Sequence, residues 1–237
     1  MSIFVLSDTH LSLYNDKPMD IFGNRWQSYA QKLDRGWKSV VTDKDTVIIP
    51  GDISWGISLD EAKKDLLYID SLPGQKYISK GNHDYWWSTV NKIGKFFEEN
   101  RIQTIKLLHN NAYIVENCVI CGTRGWYNES KNAPRDADYQ KIVNREAGRL
   151  ELSIKSGLGL HNSEEKEILV FLHFPPVYRD YVCDEIIDVL HRYNIKRVYY
   201  GHIHGVYNIP AAFEYEGITF TITSADYLNF VPLLVER

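Results

Sequence analysis

Apolar residues fall along the chain in short runs that stop abruptly at polar or glycine-rich sequence: Ile3 to Leu6, Thr46 to Ile49, Tyr77 to Ile78, Ile168 to Leu172 and Val198 to Tyr200. Runs this short, apolar throughout and bounded by turn residues, predict buried strands. Between them lie segments of helical character: Arg25 to Val41, Leu59 to Ser71, Thr89 to Glu99, Asp138 to Ser156 and Asp180 to Tyr193. Ser58 and Glu61 stand where a capping box would open the second of these. The alternation of strand and helix predicts an α/β architecture with helices outside the sheets. In two places, however, strands follow one another directly. Ile105 to Leu108 is followed by Ala112 to Gly122, and Ile218 to Thr223 by Val231 to Val235. This pattern fits a sandwich of two sheets better than one doubly wound sheet.

Composition supports a globular protein with a sizeable core, since 44% of the 237 residues are hydrophobic and 24% charged. No linker, internal repeat or low-complexity run divides the chain, so one domain over residues 1–237 is expected. A net charge of -4 gives no general attraction to nucleic acid or to anionic membrane. No apolar run approaches the roughly 18 residues of a membrane-spanning helix, and the start Met-Ser-Ile-Phe-Val-Leu leaves no room for a signal peptide before Ser7 and Asp8. The expected compartment is the cytoplasm. Three cysteines are too few for a disulfide framework. Cys118 and Cys121, three apart in a strand, are expected on opposite faces as ordinary buried thiols.

The chemistry lies at the strand ends. Asp8 and His10 follow the first strand and Asp52 the second, while Asn82, His83 and Asp84 follow the third. His173 ends another, and His202 with His204 follow the last of the alternating set. In an open α/β sheet the carboxyl ends of the strands form the edge where loops converge and ligands bind. Singly, each feature has an ordinary reading: a capping carboxylate, a hydrogen-bonded core histidine, a glycine turn. Together they place five of the eight histidines at predicted strand ends. If the segments are extended, residues i and i+2 point the same way, so Asp8 with His10 and His202 with His204 each aim two side chains into one cleft. Glycines beside Asp52, Asn82, His202 and His204 remove bulk where backbones crowd together. Imidazole and carboxylate without thiolate suit zinc, iron or manganese.

The series Asp8-x-His10, Gly51-Asp52, Gly81-Asn82-His83-Asp84, His173 and Gly201-His202-x-His204 resembles the calcineurin-like metallophosphoesterases, in that family's order. The resemblance implies an αββα sandwich and two metal ions. Asp8, His10, Asp52 and His204 would hold one, Asp52, Asn82, His173 and His202 the other, with Asp52 as the bridge. Two divalent ions against two ligating carboxylates leave a net positive site suited to a phosphate ester. Paired ions activate water and stabilise charge on phosphoryl oxygens, so no protein nucleophile is required. By resemblance His83 assists the leaving group or stabilises the transition state; from its adjacent position, Asp84 is expected to help keep that imidazole protonated.

The residues after Asp52, Ile53-Ser54-Trp55-Gly56, lack the acidic and basic residues of the family's protein phosphatases. This disfavours that branch and slightly favours phosphodiesters over phosphomonoesters. His173 is followed by Phe174-Pro175-Pro176, in which the prolines stiffen the loop. The segment at about 123–166 carries no ligand motif and is a candidate substrate-shaping insertion. Within it stand Arg124, Trp126, Tyr127, Arg135 and Tyr139. Arg124 and Trp126 are the leading candidates for substrate contact, against an alternative in which they only pack beneath a helix. Two other readings share the motifs: a non-catalytic metal-binding scaffold, which the intact ligand set argues against, and a nuclease, which would need a basic track to the cleft. Oligomeric state has no signature in the sequence.

Overall fold

The computed structural model describes residues 1–14, 17, 19–126, 137–160 and 166–237. The chain begins with β1 (Ile3–Val5), α1 (Tyr29–Val40), β2 (Thr46–Pro50), α2 (Leu59–Ser71), β3 (Gln75–Ser79), α3 (Val90–Glu99) and β4 (Ile105–Leu107). It continues through the hairpin of β5 (Ala112–Val115) and β6 (Cys118–Thr123) to α4 (Ala137–Leu158) and β7 (Glu167–Leu172). A small hairpin of β8 (Val177–Tyr178) and β9 (Tyr181–Val182) precedes α5 (Asp184–Arg192) and β10 (Arg197–Tyr200). Last come β11 (Ala212–Tyr215), β12 (Ile218–Ile222) and β13 (Leu233–Glu236). One sheet has the order β13-β1-β2-β3-β4, parallel except where β13 pairs with β1. The other has the order β11-β12-β10-β7-β6-β5, parallel in the middle with an antiparallel strand at each edge.

Strand geometry sends successive side chains to opposite faces, which sorts the apolar runs into three layers. Ile3, Val5, Ile48, Ile120 and Phe171 fill the space between the sheets. Phe4, Val47, Ile49 and Ile78 face outward and pack with Leu33 and Trp37 of α1, Leu66 and Ile69 of α2, and Ile93 and Phe97 of α3. Val119, Val170, Leu172 and Val198 meet Val143, Leu150 and Ile154 of α4 and Ile186 and Leu190 of α5. The fold is thus an αββα sandwich of two mixed sheets. Cys118 lies in the layer between the sheets and Cys121 in the layer beneath α4, on opposite faces as expected. Among the described residues no helix is long and apolar enough to cross a membrane.

The structure corrects several boundaries. The helix expected from Arg25 is a 3-10 turn, Asn24–Trp26, followed by Ser28 at φ 51, and α1 starts only at Tyr29. The Arg25 guanidinium is drawn away to donate to the carbonyls of Asp226 and Tyr227, and the Trp26 indole is buried. The helix expected from Asp180 starts at Asp184, because Tyr181 and Val182 are buried in the small hairpin. Ala112 to Gly122 is two strands, turned at Glu116 with φ 52. In the capping box Ser58 Oγ accepts the Glu61 N–H, but the Glu61 carboxylate accepts the N–H of Ile57, one residue earlier than Ser58. The C-terminal end of α2 is closed by buried Lys76, whose Nζ donates to the carbonyls of Asp70, Leu72 and Gly74.

Candidate metal centre

The loops leaving the carboxyl ends of β1, β2, β3, β7 and β10 converge, so both sheets contribute to one cleft. The loops are bent more sharply than extended segments. Asp8 (φ 60), His10 (φ 45), Asp52 (φ 52) and His202 (φ 70) all lie in the left-handed region, which is uncommon for residues with a Cβ. The i, i+2 expectation is corrected accordingly: Asp8 and His10 converge through left-handed kinks, whereas His202 lies outside the group that holds His204. Backbone hydrogen bonds hold these kinks in place, with Asp8 N–H donating to Gly51 and His10 N–H to Asp52 at 3.0 and 2.9 Å. Close approach explains two of the glycines. A Cβ on Gly81 would overlap the Asp52 carboxylate, and one on Gly201 would overlap the side chains of Asp8 and Ser7.

Two groups of ligand atoms result. Asp8, His10 and His204 form one, with His10 Nε2 3.2 Å from His204 Nε2 and His204 Nε2 3.3 Å from Asp8 Oδ1. Asp8, Asp52 and His173 form the other. Asn82 Oδ1 joins it at 2.7 Å from His173 Nε2. Asp52 Oδ2 lies between the groups, 3.6 Å from His10 Nε2 and 3.5 Å from His173 Nε2. His202 stands outside both three-ligand groups. Its ring is 5.3 Å from that of His173, and its N–H donates to both Asp8 oxygens.

The protonation pattern suits a cation. Burial pushes His173 down to about 3 and His202 to about 4, and it holds His10 well below the ordinary imidazole range. His173 Nδ1 faces the Pro50 carbonyl at 3.1 Å, which can only accept. The neutral ring therefore turns the lone pair of Nε2 toward Asn82 and Asp52. Burial, with Asp8 and Asp84 nearby, raises Asp52 well above the usual carboxylate range, and its Oδ2 is a buried atom with no hydrogen-bond partner among the described residues. His204 is the exception: against the cost of burial, Asp8 and Asp226 raise it to about 10. Burial opposes the Asp8 charge too, but His204 beside it outweighs this and lowers Asp8. A proton on His204 thus offsets the charge of Asp8, a task suited to a metal ion. The oxygen and nitrogen donors, the lone pairs facing one another and the orphaned Asp52 oxygen all fit metal ions of the manganese, iron or zinc kind.

The expected support of His83 by Asp84 is not formed. Asp84 is fully buried, and its two oxygens accept the N–H groups of Asp52, Ile53, Ser54 and Gly81 and the Trp86 indole N–H. With every approach taken up by the loops, Asp84 clamps the second and third motifs together. His83 sits between aromatic rings, 4.5 Å from Trp55 and 6.1 Å from Tyr85 by centroids, and burial lowers its pKa. Its backbone N–H donates to Asp52 Oδ1 at 2.8 Å. Arg124 is tied to the site by its carbonyl, which accepts the N–H groups of His173 and Phe174. Its guanidinium lies 5.4 Å from the Trp126 ring, and that ring is 5.6 Å from Phe174. The Tyr139 hydroxyl pairs with that of Tyr181 at 3.1 Å. Tyr127 and Arg135 lie outside the described residues.

Asp226 is a member of the site that no sequence motif marks. Its Oδ1 takes the His204 Nδ1 proton at 2.8 Å, and Oδ2 accepts from the Gly205 N–H and the Tyr207 hydroxyl. An outer carboxylate of this kind fixes the tautomer of a ligating imidazole and turns its other nitrogen toward a metal.

The arrangement gathers carboxylate, amide and imidazole donors from both sheets into one candidate metal centre. Residues 1–206 match the family described as calcineurin-like phosphoesterase, and the chain belongs to that family. The protein MJ1445 of Methanocaldococcus jannaschii is 31% identical over 114 residues, an alignment covering 46% of this chain and 58% of that protein. The chain thus matches somewhat over half the length of this relative. The crystal structure of TT1561 from Thermus thermophilus shares the fold at a TM-score of 0.57 and 9% identity, covering 99% of this chain and 97% of that one.

Proposed function

We propose that the chain hydrolyses phosphate esters at a centre of two metal ions, with small phosphodiesters preferred over phosphomonoesters. Asp8, His10, Asp52 and His204 would hold one ion, and Asp52, Asn82, His173 and His202 the other. The observation that carries this reading is the position of Asp52 Oδ2, buried between the imidazoles of His10 and His173 with no hydrogen-bond partner among the described residues. Bound there, manganese, iron or zinc ions supply the activated water and the positive charge that phosphoryl transfer to water needs.

The chain's own residues do the rest. Asp84 holds the Asp52 and Asn82 loops in register through its five hydrogen bonds, and Asp226 orients His204. His83, neutral and solvent-accessible in part, donates a hydrogen bond to the leaving oxygen. The diester preference rests on the residues after Asp52, Ile53-Ser54-Trp55-Gly56, which lack the acidic and basic residues of the family's protein phosphatases.

The test is a substrate panel. The manganese-loaded protein should hydrolyse bis(p-nitrophenyl) phosphate faster than p-nitrophenyl phosphate, and EDTA should abolish both activities. Asp52→Asn should lower them more than about 100-fold. Activity that survives EDTA would overturn the metal assignment, and a preference for the monoester would overturn the diester assignment.

A further inference from the structure

Beside the cleft, a second pocket of about 450 Å³ gathers four basic side chains, Lys80, Arg124, Arg145 and Arg149. That is within the size range of small-ligand sites. It adjoins the metal centre through two chain connections. Lys80 directly precedes the Gly81-Asn82 motif, and the Arg124 carbonyl holds the backbone of His173 and Phe174. Among the described residues the one acidic side chain in its lining is Glu146, fully buried, with Arg149 at 2.6 Å and Arg124 and Arg145 each at 3.7 Å. One carboxylate is shared by three guanidiniums, with Lys80 besides, so among the described residues four positive charges meet one negative in a protein of net charge -4. Arg145 and Arg149 are also one turn apart on α4, a like-charge spacing that weakens a helix. One cation would suffice to neutralise Glu146, and the rest have no acidic counterpart among the described residues of the lining.

Two hydrogen-bond donors point the same way. Arg124 Nε and Trp87 Nε1 belong to residues lining the pocket, and both are buried atoms without an acceptor among the described residues. Such donors are costly unless an acceptor reaches them. Guanidiniums match phosphate oxygens in pairs, and a flanking indole adds a flat apolar wall.

We infer that the Lys80–Arg124–Arg145–Arg149 pocket binds a second phosphate group of the substrate, so that the natural ester carries a phosphate or diphosphate on an arm held beside the metal centre. The inference rests on the phosphoesterase reading for the first phosphate, but its anion site is made by protein alone. The test is titration calorimetry of the full-length chain with inorganic pyrophosphate in EDTA, alongside hydrolysis of bis(p-nitrophenyl) phosphate by the manganese-loaded protein. Pyrophosphate should bind without metal, more weakly as salt rises. Its affinity should fall about tenfold or more in Arg145→Ala/Arg149→Ala and recover in part in Arg145→Lys/Arg149→Lys. Arg145→Glu, on an exposed side chain, gives the same reading if the double variant does not fold. Equal affinity in wild type and these variants would overturn the subsite, as would binding that requires metal and vanishes in Asp52→Asn. Pyrophosphate binding without ester hydrolysis would instead overturn the phosphoesterase reading and leave the anion site standing.

Discussion

Asp226 Oδ1 lies 2.8 Å from His204 Nδ1, and this contact determines which nitrogen of His204 faces Asp8 and His10. Outer carboxylates of this type typically contribute roughly 10–100-fold to metal affinity. Asp226→Asn is therefore expected to weaken manganese binding by about that factor in calorimetric titration. Far-ultraviolet circular dichroism should be unchanged.

Asp84 gives a sharper contrast between two roles. As a clamp accepting five N–H groups, its loss in Asp84→Ala leaves buried donors unsatisfied, and urea unfolding should show a loss of at least about 3 kcal/mol. A role confined to the His83 proton would leave stability intact and move only the pH profile of turnover.

Backbone proximity at Gly201 makes a further demand. A Cβ there meets the side chains of Asp8 and Ser7, which are already hydrogen-bonded to each other. Gly201→Ala should displace Asp8 and lower manganese affinity about tenfold or more, while Gly205→Ala, where a Cβ meets nothing within 4 Å, should strain only its own loop and leave Asp8 in place.

Away from the cleft, Asp45 accepts from the N–H groups of Ser2 and Thr42 and from the Thr42 hydroxyl at 2.7 to 2.8 Å. Burial opposes its charge, but these hydrogen bonds outweigh burial and lower its pKa from 3.8. A carboxyl with a lowered folded-state pKa contributes stability that is present above the unfolded value and lost as pH falls through the folded one. The difference in melting temperature between wild type and Asp45→Ala should be largest near neutral pH and shrink below about pH 4.

Much of this was legible in the chain because strands read plainly when they are apolar and stop abruptly at polar or glycine-rich sequence. Asp8, Asp52, Asn82, His173 and His202 each follow such a run, and the two-sheet sandwich followed from strands that succeed one another without a helix. What stayed hidden depends on tertiary contacts. Nothing near Asp226 signals that it meets a histidine 22 residues earlier. Arg145 and Arg149 lie within the helix expected from Asp138 to Ser156, and only the fold brings them to Glu146 together with Arg124, just after β6, and Lys80, just after β3. Arg25 lies in a segment of helical character, yet carbonyls 201 and 202 residues away redirect it. Adjacency in sequence suggested that Asp84 served His83, whereas the loops of Asp52 and Gly81 present more donors to its carboxylate.

The most direct test of the account is turnover of bis(p-nitrophenyl) phosphate measured while the metal-free chain is titrated with manganese. Two ions sharing Asp52 predict activity that rises and levels off at about two equivalents per chain, with Asp52→Asn inactive throughout. A plateau at one equivalent would contradict the shared centre, and no turnover at any loading would contradict the phosphoesterase assignment itself.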